Sequence, residues 1–310
     1  MKDLGKQATR DAYGEALVEF GAKYDFVVLD ADLSKSTKTS TFQNAYPDRF
    51  VNCGIAESNM MGVAAGIAAT GKTAFASTFA MFAAGRAFDV VRNGIGYPHL
   101  NVKIAATHAG ISVGEDGASH QCIEDLALMR SIPGMTVLCP SDGPSTRAAV
   151  LAALEHDGPV YLRLGRLAVP VLYEQPDFQI GKGIVLREGP DVTIVACGLM
   201  VAKAIVAAEM LAAENISATV VDLHTVKPID ADLLTSCALR TGAVVTAEEH
   251  NVLGGLGGAV SECLAQKCPV PTVHVGVEDT FGRSGVAEAL LEHFNLTPTA
   301  IVQAAHRVFR

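Results

Sequence analysis

The stretch "VTIVACGLMVAKAIVAAEMLAAENISATVVDL" (residues 192–223) decides the fold. It begins with a short β-branched run (192–196), continues with an Ala- and Leu-rich stretch (199–214), and ends with a second β-branched run (218–223). The middle part is long enough for a helix, and two parallel strands need such a crossover between them. The stretch therefore predicts a strand–helix–strand unit with parallel strands.

The same alternation runs through most of the chain. Further strand candidates are 26–30, 102–106, 136–140, 160–164, 243–247 and 272–277. Only the segment 166–190, with three prolines and three glycines, breaks the rhythm and is interpreted as a linker. We therefore predict an α/β protein of two doubly wound, mostly parallel-sheet domains, at residues 1–165 and 191–310.

Composition narrows the class of partner. The 310 residues carry a net charge of −9, with 49% apolar and 18% charged residues. This acidic balance argues against nucleic acid or a membrane surface as a partner. The start lacks the apolar region of a secretory signal, and no apolar run approaches the ~18 residues of a membrane span. The seven cysteines form no C-x-x-C pair, so we expect buried thiols in a cytoplasmic protein.

A single carboxylate, Glu57, lies in the apolar stretch "NCGIAESNMMGVAAG" (52–66). Residues 58–69 are apolar on nearly all sides, which predicts a buried helix with Ser58 or Asn59 as its cap. Glu57 is then either an ordinary acid favoured by the helix dipole or a carboxyl in a dry pocket. In a dry pocket it would share a proton with a basic nitrogen of a ligand. These residues alone leave both interpretations open.

Two further stretches have the same ambiguity. In "STFAMFAAGRAF" (77–88), Phe79 and Phe82 are three residues apart, which fits either core packing or an aromatic wall for a flat heterocycle. The loop "THAGISVGEDGASHQ" (107–121) follows a strand, where α/β folds place ligands. Its G-x-x-x-G-x-x-G spacing is not the dinucleotide fingerprint. Taken singly, His108 and His120 are typical of surface loops, but beside Asp116 they favour a ligand site.

In this order and at these separations, the three stretches resemble the C-terminal half of the transketolase family of thiamine diphosphate enzymes. Residues 191–310 resemble the third domain of that family, with "LHTVKPID" and "EEHNVLGGLGG". The resemblance implies that Glu57 bonds N1′ of the aminopyrimidine of the cofactor and favours its reactive tautomer. It implies that Phe79 and Phe82 stack on that ring. It also implies that Asp116 and His120 face the hydroxyl groups of the substrate, so Glu57, Asp116 and His120 are the expected catalytic residues.

The resemblance also implies a sugar-phosphate site. Its members would be Arg10, Ser36, His108 and Arg166, and guanidinium groups match the oxygens of a phosphate. Read singly, Arg10 and Arg166 are typical surface charges. Only the match to the family favours the phosphate role.

One part of the family pattern is absent from these 310 residues. Thiamine diphosphate is held through Mg²⁺, usually by a G-D-G motif followed by an asparagine, and no G-D-G occurs here. No metal ligand is therefore expected in this chain. The resemblance then implies one subunit of a split transketolase, active with an N-terminal subunit that carries the diphosphate and Mg²⁺ site. We expect an α2β2 heterotetramer that transfers a two-carbon ketol unit between sugar phosphates.

Three alternatives stay open from the sequence. Deoxyxylulose-phosphate synthase has a similar loop, and the beta subunit of a 2-oxo-acid dehydrogenase has the same domain pair. A non-catalytic α/β assembly subunit is the third alternative.

The "GGLGG" run near Glu248, Glu249 and His250 is interpreted as a structural turn that leads into a helix, and no role for the third domain is assigned.

Overall fold

A computed structural model describes residues 4–309. The strands are β1 (Lys6–Ala8), β2 (Phe26–Asp30), β3 (Phe50–Asn52), β4 (Thr73–Phe79), β5 (Val102–Thr107), β6 (Thr136–Leu138), β7 (Val160–Arg163), β8 (Ala168–Pro170), β9 (Ile184–Arg187), β10 (Val192–Ala196), β11 (Ala218–Asp222), β12 (Thr225–Lys227), β13 (Val244–Asn251) and β14 (Thr272–Val277). The helices are α1 (Thr9–Gly21), α2 (Ser34–Thr37), α3 (Ser40–Ala45), α4 (Glu57–Ala69), α5 (Phe88–Val90), α6 (Asp125–Ser131), α7 (Gly143–Glu155), α8 (Met200–Ala213), α9 (Ala231–Thr241), α10 (Leu256–Lys267), α11 (Ala287–His293) and α12 (Pro298–Val308).

The strands form two main sheets with helices around them. The first sheet has seven strands in the order β12-β6-β7-β5-β4-β2-β3, and the second has five in the order β14-β13-β10-β11-β9. Within these two sheets, the edge strands β12 and β9 run antiparallel to their neighbours, and the other described pairs are parallel. The predicted α/β class with mostly parallel sheets is confirmed. Below, the part of the chain that carries the five-stranded sheet is called the C-terminal domain.

The two parts of the chain are joined by more than the connecting segment. Strand β12 follows β11 of the second sheet but pairs with β6 of the first. One apolar cluster also includes residues of both sheets, such as Ile104 and Val195. The segment 166–190, predicted as a linker, contains β8, which pairs with β1, and β9, which pairs with β11. The exact domain boundaries stay a prediction.

Strand prediction failed where the strand is rich in small residues. No strand was predicted over β4, "TAFASTF", yet β4 is a central strand between β2 and β5. Six of its seven residues are buried, so packing on both faces overrides its weak strand preference. Phe79 is the last residue of β4, and Phe82 lies in the turn that follows it.

The helix after Glu57 differs from its prediction in two ways. Its first residue is Glu57, its N-cap is Ala56, and neither Ser58 nor Asn59 caps it. The helix is also buried only on one side, because Gly62, Val63 and Gly66 are exposed. The expectation of a fully buried helix is wrong for this single chain.

Three observations concern chemistry in the described range 4–309. All seven cysteines are free, five of them buried and two half-buried. Among these residues, no helix is both long and apolar enough to cross a bilayer. The same residues contain no cluster of His, Cys, Asp and Glu that fits a metal ion.

Candidate active site

Glu57 is a buried carboxylate with a cationic partner. Its side chain is only 2% exposed, at the first turn of α4. Nη1 of Arg86 donates to both carboxylate oxygens, at 3.0 Å to Oε1 and 2.9 Å to Oε2. A buried charge needs such a partner, because removing it from water is otherwise costly. The sequence analysis missed Arg86, although it is the only charged residue in the stretch 77–88.

Arg86 is held by an unusual turn that follows β4. Residues Met81–Arg86 form a π-helix, a conformation found mostly as single turns and often at functional sites. The guanidinium carbon lies 4.5 Å from the centre of the Phe82 ring, and Ser58 Oγ donates to the carbonyl of Arg86. Glu57, Phe82 and Arg86 thus form one contact unit.

Aromatic contacts connect this unit to the 107–121 loop. Phe79 stacks with Phe82 at 5.9 Å between ring centres, and with His108 at 3.8 Å. The His120 ring lies edge-on to Phe82 at 5.4 Å. The two phenylalanines and two histidines singled out from separate stretches therefore meet in one place.

An open cavity of about 400 Å³ lies against this group. It is lined by Ala31, Asp32, Leu33, Ile55, Glu57, Phe82, Arg86, Ser119 and His120. It combines a carboxylate, a cation and an aromatic face, as ligand sites commonly do. Such a set can bind a flat heterocycle with a basic nitrogen.

The predicted phosphate-binding residues lie next to the same histidines. Nη1 of Arg10 donates to the carbonyl of Ser36 at 3.1 Å and contacts Nε2 of His108, also at 3.1 Å. Arg10 is half-buried instead of lying on the surface, and its Nε is buried with no hydrogen-bond partner among the described residues. Burial, together with the charge of Arg166, lowers the pKa of Arg10, although Asp11 opposes that shift. Concentrated positive charge with an unused donor suits an anion.

His108 is neutral in this setting. It is 3% exposed, which corrects the expectation of a surface loop histidine. Burial and the nearby charges of Arg10 and Arg166 lower its pKa to about 3. Since Arg10 only donates, Nε2 of His108 accepts and its Nδ1–H donates to Thr107 Oγ1 at 2.9 Å.

The last two predicted residues lie on the outer side of the site. Nη1 of Arg166 donates to the carbonyl of Val113 and pairs with Glu115 at 3.2 Å. Its charge contributes to the lowered pKa of both Arg10 and His108. Asp116 is exposed on the 107–121 loop, and none of the hydrogen bonds or ion pairs described here joins it to the other site residues. Asp116 is thus the least integrated of the predicted residues.

The site is open on the side of α4. A Cβ atom added at Gly62 or Gly66 would meet no other atom within 4 Å, and Val63 and Ile55 are exposed beside them. Exposed apolar side chains at this place form a surface that another chain could contact. In the single chain, the group therefore forms one wall of a site.

Comparisons with known proteins identify the family of the chain. Residues 5–171 match the family described as transketolase, pyrimidine binding domain, and residues 181–301 match transketolase, C-terminal domain. A putative transketolase C-terminal section of Methanocaldococcus jannaschii is 48% identical, over 95% of this chain and 94% of that protein. A 6-deoxy-6-sulfo-D-fructose transketolase subunit of Clostridium sp. is also 48% identical, over 96% and 94%.

A solved structure gives the same result at the level of the fold. It is described as a split gene transketolase, inactive beta4 tetramer, and is 59% identical with a TM-score of 0.90. The likeness covers 98% of both chains. The family matches together span most of the sequence, and two relatives are matched along nearly their whole length. The chain belongs to the transketolase family and corresponds to its C-terminal section, with a pyrimidine-binding domain followed by a transketolase C-terminal domain.

Proposed function

We propose that this chain is the subunit of a split transketolase that binds the pyrimidine ring of thiamine diphosphate and the sugar phosphate. The observation that carries the proposal is the buried carboxylate of Glu57, which opens into a cavity walled by Phe82 and His120. A carboxyl that is 2% exposed exchanges a proton with a ring nitrogen without competition from water.

The residues present fit the pyrimidine end of thiamine diphosphate. Glu57 would bond N1′ of the ring and share its proton there, while Phe79 and Phe82 would support the ring face. In the single chain Arg86 occupies both oxygens of Glu57, so the ring nitrogen has to displace at least one of these bonds. When bound, the cofactor supplies the stabilised carbanion chemistry that breaks and forms the carbon–carbon bond.

The part of the site that would bind the substrate combines two cationic side chains with neutral donors and acceptors. Arg10 and Arg166 would hold a phosphate group, with Ser36 and the neutral His108 beside them. His120 and Asp116 would face the hydroxyl groups near the bond that breaks. The relative from Clostridium sp. is named for a sulfo sugar, which also carries an anionic group. We propose a ketol donor and an aldose acceptor, of which at least one carries a terminal anionic group.

A partner chain is part of the proposal. The residues described here offer no metal cluster, so the diphosphate and Mg²⁺ would be held by an N-terminal transketolase subunit. That subunit would cover the exposed face of α4, in an α2β2 assembly in the cytoplasm. The solved relative described as an inactive beta4 tetramer supports this idea, because it is a tetramer of beta chains that is called inactive.

Glu57→Gln in the reconstituted two-subunit enzyme tests the function directly. The amide keeps the size of the side chain but can neither release nor take up a proton near neutral pH, so turnover should fall about 10²- to 10⁴-fold. Steady-state kinetics with saturating thiamine diphosphate and Mg²⁺ measure it, and sedimentation checks assembly. The matched control is Glu155→Gln, a change at the end of α7 that should leave turnover unchanged. Near-normal turnover in Glu57→Gln would contradict the proposed catalytic role of Glu57.

Arg166→Ala tests the phosphate site. Loss of one charge-assisted contact should lower kcat/KM for a phosphorylated sugar about 10- to 100-fold. The kcat/KM for a non-phosphorylated analogue should change little, because that sugar has no phosphate group for Arg166 to contact. Arg147→Ala is the control, since Arg147 pairs with Glu19 on α1 and lies outside the site. An equal loss for both sugars would contradict a phosphate contact.

His108→Gln tests the neutral state of His108. The folded-state pKa is about 3, below the ordinary 6.5, so the unfolded chain binds more protons between these values. Stability is therefore full above pH 6.5 and falls on acidification, by about 2 kcal/mol at pH 5. Urea unfolding at pH 7 and pH 5 should show a smaller acid loss in His108→Gln than in the wild type or in the exposed-site control His99→Gln. The same acid loss in all three proteins would contradict a neutral, buried His108.

A further inference from the structure

The three glycines of the 107–121 loop have positive φ angles, of 83° at Gly110, 90° at Gly114 and 75° at Gly117. Each of them faces the C-terminal domain. A Cβ atom at Gly110 would lie 2.3 Å from the carboxyl carbon of Glu249, and one at Gly117 would lie 2.4 Å from Oγ of Ser284. At Gly114 the nearest atom is the carbonyl oxygen of Gly285, at 3.4 Å. The three glycines are thus the positions at which the loop packs against the C-terminal domain.

Glu249 fixes the first part of the loop. It lies on β13, is 4% exposed, and its Oε1 accepts a hydrogen bond of 2.6 Å from the backbone N–H of Ser112. A carboxylate that accepts from a backbone N–H makes one of the stronger kinds of hydrogen bond. A side chain at position 110 would push this carboxylate away, so the close approach requires glycine there.

Gln121 fixes the last part of the loop. It is 3% exposed, and its Nε2 lies within hydrogen-bond distance of three carbonyl oxygens, those of Ile111 at 3.1 Å, Gly114 at 3.2 Å and Arg283 at 2.9 Å. Two of these carbonyls belong to the loop and the third belongs to the C-terminal domain. One side-chain amide therefore holds the loop in a closed shape and ties it to the segment 282–285.

The residues just after the loop are tied to the same domain. The backbone N–H of Asn251 donates to the carbonyl of Ile123 at 2.8 Å. Nη2 of Arg163 donates to the carbonyls of Cys122, at 3.3 Å, and Glu249, at 2.9 Å. Contacts from β13 and from the segment 282–285 thus reach the loop at its start, its middle and its end.

We propose that the C-terminal domain acts as a clamp that sets the shape of the 107–121 loop, with Glu249 and Gln121 as positioning residues. The importance of the clamp for catalysis rests on the proposed function, because His108, Asp116 and His120 are carried by this loop. A loop with three glycines has many accessible conformations, and catalysis tolerates displacements of substrate contacts poorly. The clamp gives the C-terminal domain a role in substrate geometry without any contact to substrate.

Two substitutions release the clamp without changing a proposed substrate contact. Gln121→Ala removes the amide. Gly282→Ala adds a Cβ atom that would lie 1.8 Å from Oε1 of Gln121, so the amide has to leave its place. The control is Gly258→Ala in α10, where the nearest atom to the added Cβ would be the end of the Arg130 side chain, at 3.4 Å. Thermal unfolding confirms that each variant folds.

The first measurement is hydrogen–deuterium exchange of the free chain, which is independent of any activity. We expect protection of the amides in residues 107–121 to fall about tenfold in Gln121→Ala and Gly282→Ala, which corresponds to the loss of a hydrogen bond. Protection in β2 and β10 should stay the same, and Gly258→Ala should match the wild type. Unchanged exchange of the loop in both folded variants would overturn the proposal.

The second measurement uses the complex with the N-terminal subunit. We expect kcat/KM for a sugar phosphate to fall about 10- to 100-fold, while the dissociation constant of thiamine diphosphate changes less than about threefold, because Glu57, Phe79 and Phe82, the proposed contacts to its ring, lie outside the loop. Faster loop exchange with unchanged kinetics, or an equal loss of cofactor affinity, would overturn the positioning role. If the wild-type complex transfers no ketol group, the proposed function fails, and the exchange measurement still decides whether the clamp exists.

Discussion

The buried guanidinium of Arg163 is the interaction on which the rest of the site depends. Its Nε donates to Asp125 at 2.8 Å, and its Nη2 reaches the carbonyls of Cys122 and Glu249. Burial disfavours a charge here, yet Asp125 raises the pKa of Arg163 well above its ordinary value. One side chain of the first sheet thus joins α6, the residue that follows the 107–121 loop and the second sheet. Breaking such a buried pair typically costs about 3–5 kcal/mol.

This arrangement explains how residues far apart in the sequence form one site. The carboxyl ends of β4 and β5 lie side by side in the first sheet, so Phe79 and His108 emerge next to each other. The loop that follows β5 would be free on its outer side if the C-terminal domain did not cover it. Arg163 bonds the carbonyl of Glu249, so the contact of Glu249 with the loop, like that of Gln121 with Arg283, follows from the packing of the domains.

Much of this could be predicted from the sequence, and the failures have physical causes. Strands rich in β-branched residues, such as 26–30 and 192–196, were predicted with the bounds that the structure has. β4 was missed because its small residues carry little local preference and its burial is set by its neighbours. Arg86 was missed because its pairing with Glu57 depends on a π-helical turn, which no spacing rule indicates. The loop glycines were recognised, but their contact with another domain is a long-range feature.

We propose that this chain holds one wall of a cofactor site that another chain completes. Glu57 already has a partner in Arg86, and α4 exposes small residues beside it. The most direct test is calorimetric titration of thiamine diphosphate with Mg²⁺ into this chain, into the N-terminal subunit, and into their mixture. We expect tight binding only in the mixture, and weaker binding when Glu57 is replaced by Gln. Equally tight binding by this chain alone would contradict it.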